Sequence, residues 1–148
     1  MTPTKNLSLT FSTLLISGIL FGILNTVPAL EYPDYLTKLA SMKTHVLIAV
    51  FFQSAMAAVY VWIAALMYPV IKKYSLGMAL GYFGFRIIGA AFLFVGMVSL
   101  LLLHSISESY VAAGQPSPSH FQTYGELLRV GRDWLNHLGM ILPWSLGG

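Results

Sequence analysis

LGMALGYFGFRIIGAAFLFVGMVSLLLLH, residues 76–104, is the stretch that decides the fold. Arg86 is its only charge. As a helix rising ~1.5 Å per residue it is about 43 Å long. That exceeds the ~30 Å hydrocarbon core of a bilayer, so it can span with tilt or with its ends among the headgroups. Glycines recur along it, at Gly77, Gly81, Gly84, Gly89 and Gly96. Small residues of this kind let helix backbones approach one another in lipid. An arginine inside such a run is expensive to place, and it marks either a ligand contact or a structural tie.

The rest of the composition agrees. Of the 148 residues, 57% are hydrophobic and only 9% charged, with a mean hydropathy of +0.75. Soluble domains carry about 25% charged residues. A soluble fold of this size could not hide so much apolar surface, so lipid must solvate part of it. The net charge of +3 is small and its bases are scattered, which is not a nucleic-acid footprint. There are no cysteines, which removes disulfides, thiolate metal sites and thiol nucleophiles.

Working outward, the expected organisation is one all-α domain, a polytopic transmembrane helix bundle. Full spans are expected at about 7–30, 45–70 and 76–104, with a fourth, partial helix over 121–146. The first run could be a signal peptide, but its length and the Gly18-x-x-x-Gly22 packing pattern favour a retained span. Residues 31–44 read as a loop, with Tyr35, Leu36, Leu39 and Met42 on a short interfacial helix and Lys38 and Lys43 facing water. Tyr68-Pro69 marks the exit of the second span. The short basic turn at 71–75 then forces an antiparallel pair. Gln115-Pro116-Ser117-Pro118-Ser119 is a connector. The last run turns apolar only near its end, which predicts a piece of a longer protein. The Lys72-Lys73 pair in its very short turn places the N-terminus in the cytoplasm.

Arg86 lies about 15 Å along its helix. Asp133 is the acid beside a hydrophobic helical segment and the expected partner for it, in a ligand site or a buried ion pair. Asn25, Gln53 and Ser99 are expected to hydrogen-bond between helices. Gly18, Gly22, Gly77, Gly81 and Gly84 are expected at helix contacts, within one chain or between two copies. Tyr60, Trp62 and Tyr82 read as packing or interfacial residues rather than a ligand cage. His45 and His104 share one end of an antiparallel pair, the geometry in which two histidines can ligate haem or a metal. No acid cluster completes a ligand shell, so no metal or cofactor is expected. No catalytic constellation is legible: Ser54, Ser99 and Ser105 lack a nucleophile-elbow context, and Ser99 and His104 lie on different helix faces.

The segment YPVIKKYSLGMALGYFGFRIIGAAFLFVGMVSLLLL, with GRDWLNHLG beyond the loop, resembles the domain-of-unknown-function 4386 family of bacterial membrane proteins. The residues that carry it are Tyr68, Pro69 and Lys72, the ALGYFGFR block from Ala79 to Arg86, and the triplet Arg132, Asp133 and Trp134. The resemblance covers roughly residues 10 to 148. It implies an inner-membrane protein with further spans and no established activity. Family members often carry a glutamate three residues after the span arginine, where this chain has Gly89.

The functional expectation is therefore a small-molecule binding or transport-related bundle centred on Arg86 and Asp133. The alternatives are a structural or regulatory subunit that binds another membrane protein or a second copy, and a haem-binding redox protein. The lipid bilayer is the expected partner throughout, and nucleic acid is not.

Overall fold

The computed structural model describes residues 3–116 and 120–144. The connector residues 117–119 and the end of the expected fourth helix, 145–146, lie outside them. The described elements are α1 (Pro3–Leu24), a 3-10 turn (Pro28–Glu31), α2 (Tyr35–Ala40), α3 (Lys43–Ile71), α4 (Leu76–Ala112) and α5 (His120–Trp144). The all-α expectation holds among these residues. Three helices, α1, α3 and α4, are long and apolar enough to cross a membrane.

α4 is the axis. At 37 residues it is about 55 Å long. It starts where the sequence supplies a cap: Ser75 is extended, and its hydroxyl accepts a hydrogen bond from the Met78 amide at 3.3 Å. It ends eight residues beyond the expected boundary, at Ala112 rather than His104. The serines of that extension are compatible with helix because each hydroxyl donates to a carbonyl one turn back, as Ser107 does to Leu103 at 2.8 Å. Gly114 (φ 78°) and Gln115 (φ 57°) then take the left-handed backbone that closes a helix end, and the Gln115 amide returns to the Tyr110 carbonyl at 3.0 Å.

The helices run antiparallel in sequence order. Gly18 and Gly22 of α1 lie beside Val59 and Met56 of α3. Gln53 of α3 reaches Leu93 of α4, while Tyr68 meets Phe83. Gly96 and Gly89 of α4 lie beside Asn136 and Gly139 of α5. α4 is thus held between α3 and α5, and α1 packs on α3. Most of the large apolar side chains of α1 are exposed, Leu9, Ile16, Ile19 and Ile23 among them.

α2 corrects an expectation. Its apolar face does not lie on a lipid surface: Tyr35, Leu36 and Leu39 are buried against α4, in a cluster with Val27, Leu30, Val46, Leu103 and Tyr110. Full burial of a side chain such as Leu39 contributes about 1.5–3 kcal/mol where water is the alternative. Lys38 stays outside, 3.0 Å from Asp34 and over the Tyr32 ring. Pro69 sits inside the last turn of α3, two residues before the helix ends.

A buried polar cluster beside a cleft

α5 carries the polar residues that matter, and its register explains why. Gly125, Arg132, Asn136 and Gly139 recur at spacings of seven, four and three, which is one helical face. All four meet neighbours from other elements. A Cβ at Gly125 would stand 2.8 Å from the Tyr35 hydroxyl, and one at Gly139 would stand 2.9 Å from the Gly89 carbonyl. These approaches bring Arg132 and Asn136 onto α3 and α4.

Gln53 is the hub. Its Nε2 donates to the Leu93 carbonyl at 2.7 Å and to Asn136 Oδ1 at 2.8 Å. Since a carbonyl can only accept, the amide orientations follow: Gln53 Oε1 faces Arg132, whose Nη2 lies 3.5 Å away. Asn136 Nδ2 is turned away from Gln53. Gln53 and Arg132 are both buried, Arg132 with 6% of its surface exposed. Arg132 Nε is buried without a hydrogen-bond partner. Gly96 completes the cluster by leaving room for it: a Cβ there would stand 2.5 Å from Asn136 Oδ1 and 3.2 Å from Gln53 Nε2.

The cluster borders a cleft between α1, α3 and α5. Its upper chamber, about 370 Å³, is lined by Asn25, Glu31, Arg129, Arg132, Asp133 and Asn136, with Gly22, Met56, Met140 and others. A lower chamber of about 240 Å³ shares Gly22, Met56 and Met140 with it. Its walls are apolar, from Leu14, Ile19 and Ile23 of α1 and Val59 and Ile63 of α3, and Arg86 lies at its inner side.

Arg86 is only 4% exposed. Its guanidinium lies 5.5 Å from the Tyr60 ring and 5.1 Å from the Tyr82 ring, so two aromatic faces share its charge. Its Nε is buried without a hydrogen-bond partner, and among the described residues it makes no ion pair. The expected pair with Asp133 is not made. Asp133 Oδ2 instead lies 3.8 Å from Arg129 Nη1, one helical turn back on its own helix. Local sequence spacing decided this, because i,i+4 neighbours meet without any tertiary arrangement. Arg86 and Asp133 nonetheless line the two ends of one cleft.

The polar end is separately organised. Arg129 donates to both oxygens of Glu126, at 2.8 and 2.6 Å, and this holds the Glu126 carboxyl below the usual range. Burial, with Glu126 nearby, raises the Tyr35 phenol.

The other expected residues are dispersed. Gly18 and Gly22 do lie at the α1–α3 contact. Gly77 meets only its own Ser75 cap at 3.9 Å and Gly84 meets nothing within 4 Å, so neither sits at a helix crossing. Gly81 is half-buried on α4. Ser99 donates to Val95 within its own helix, while Gln53 bridges helices as expected. Trp62 is exposed. His45 bonds the Thr26 carbonyl at 3.3 Å and His104 Nδ1 the Leu39 carbonyl at 3.1 Å, so both rings tie down the segment between α1 and α3. Among the described residues no group of three or more His, Asp or Glu side chains comes together.

The fold and site define a helical protein with three helices apolar enough for a membrane and a polar, arginine-bearing helix received in their side. The chain belongs to the family of the domain of unknown function DUF4386, which matches residues 8–146, nearly its whole length. No curated protein and no solved structure matches it.

Proposed function

We propose that this is a multi-pass inner-membrane protein of bacterial type that binds a small molecule in the cleft between α1, α3 and α5. The observation that carries the reading is Arg132. It is a buried cation whose guanidinium makes, among the described residues, one long hydrogen bond, to Gln53, and no ion pair, and it borders a cavity. Burying an ion without a close counter-charge costs several kcal/mol, and a fold tolerates this where the group has a use. Asp133, beside it in sequence, moderates the charge but is turned to Arg129. Arg86 adds a second cation at the lower end of the same cleft.

Native mass spectrometry of the protein released from membranes in mild detergent tests the reading. A small molecule of discrete mass should accompany the chain and be absent from Gly22→Trp, which fills the junction of the two chambers. Gly22 has only Met56 Sδ, at 3.5 Å, near its missing side chain, and Gly22→Leu is a milder second variant. Identical bound species in the wild type and in both folded variants would refute ligand binding here.

A further inference from the structure

We propose that the ligand is a single-chain amphiphile with an anionic head, a carboxylate or a phosphate monoester, taken laterally from the bilayer between α1 and α5. This rests on the ligand-binding reading above and names its ligand class.

The head's chemistry follows from which atoms the polar cluster leaves over. Leu93 carbonyl, Asn136 Oδ1 and Gln53 Oε1 all accept hydrogen bonds within the cluster. What remains on the wall of the upper chamber is donors: the Nη N–H groups of Arg132 that Gln53 does not take, its Nε being buried, and the Asn136 amide N–H groups. A planar guanidinium beside an amide donor matches a carboxylate or phosphate oxygen pair. The other chamber charges do not compete for the site. Arg129 is held by both Glu126 oxygens, the Asp133 carboxylate is turned to Arg129, and Glu31 is exposed, in the turn before α2. Arg86 adds positive potential from below, and among the described residues nothing acidic pairs with it.

The body's chemistry follows from the lower chamber. At about 240 Å³ it exceeds the ~150 Å³ apolar cavity known to take up benzene. Its α3 wall runs from Met56 to Ile63, seven residues or about 10 Å. A chain leaving a head at Arg132 therefore passes down an apolar wall. The source follows from the lips. Ile19 and Ile23 on α1, which line the lower chamber, are 59% and 63% exposed, and Met140 on α5, which lines both chambers, is 38% exposed. α1 is packed on α3, which leaves the side toward α5 as the entrance. Such an opening admits a chain from lipid more readily than a hydrated ion from water.

The test is equilibrium binding to the full chain in nanodiscs of zwitterionic lipid. The probes are a long-chain fatty acid, the matching lysophosphatidate, the matching uncharged monoacylglycerol, and inorganic phosphate. Both anionic amphiphiles should bind, and the monoacylglycerol should bind about tenfold more weakly or worse. Inorganic phosphate should not compete. Arg132→Gln should abolish the preference for the anionic head and Arg132→Lys should retain most of it, and Gly22→Leu should weaken both amphiphiles alike. Equal binding of the monoacylglycerol would overturn the anionic head. Phosphate binding as tightly as the amphiphiles would overturn the bilayer source. Amphiphile binding untouched by Arg132→Gln and Gly22→Leu would overturn the location. If no probe binds while Gly22→Trp still removes the co-purifying species, this ligand class fails and the ligand-binding reading stands.

Discussion

Gly96 shows how much a single missing methyl can hold in place. Its absent Cβ is the space in which Asn136 Oδ1 and Gln53 Nε2 meet. Gly96→Ala should break the Gln53–Asn136 bond and push α5 outward, at a cost of about 1–3 kcal/mol. Thermal unfolding in detergent, read by helical circular dichroism, should show a clear fall in Tm. Gly84→Ala on the same helix is the contrast: with nothing within 4 Å, the change should be neutral or stabilise by up to about 1 kcal/mol through helix propensity. A sequence can show glycines on a helix, and it did so here for both residues. It cannot show which of them another helix touches, because that depends on rotation about the axis. Arg86 behaves differently. Replacing a buried charge with an apolar side chain of similar bulk is often close to neutral. Arg86→Leu should therefore fold, insert and stay within a few degrees of the wild-type Tm. Loss of both expression and monodispersity in that variant would show Arg86 to be a structural tie after all.

At the scale of elements, α5 carries the surprise. Its charges made it look like a helix unsuited to a membrane, and it does fall outside the helices apolar enough to cross one. Yet it runs along α4 from Phe121 beside Tyr110 to Gly139 beside Gly89. The signal was available in the register of Gly125, Arg132, Asn136 and Gly139, a stripe of small and polar residues on one face. The spacing shows one face but not what it meets: Arg132 and Asn136 turn inward to Gln53, where the sequence points to Asp133 and Arg86. The Gly89–Gly139 crossing is the contact to break. Gly139→Leu would drive a side chain into the Gly89 carbonyl and Leu93, each about 2.9 Å from the missing Cβ. α5 should detach, and limited proteolysis should cut faster in the connection after Gly114 while α3 and α4 remain protected. Gly89 also occupies the place where the family resemblance leads one to look for an acid, and burial at a helix crossing accounts for the lack of a side chain there.

For the molecule as a whole, the antiparallel order gathers the acids toward one end, in company with Lys38, Lys43, Arg129 and Arg132. Lys72 and Lys73 lie in the turn at the end where α1 begins. All five acids, Glu31, Asp34, Glu108, Glu126 and Asp133, belong to segments toward the other end. A compact lysine pair in a very short loop is the pattern of a cytoplasmic face. With no cysteine in the chain, single substitutions report topology directly. In spheroplasts, Ser41→Cys and Gln115→Cys should react with a membrane-impermeant maleimide and Lys73→Cys should not; the opposite pattern would invert the proposed orientation. The spans were legible because lipid selects on bulk hydropathy, which needs no partner. The cleft was not, because it exists only between helices. α5 has one more consequence, for biosynthesis. A segment bearing Glu126, Arg129, Arg132 and Asp133 gains nothing by leaving the translocation machinery for lipid on its own. The amide of Gln53 and the notch at Gly96 must be standing ready to receive it. On the proposed multi-pass reading, assembly of this chain has an order in which α3 and α4 pair first and serve as the scaffold for the later entry of α5.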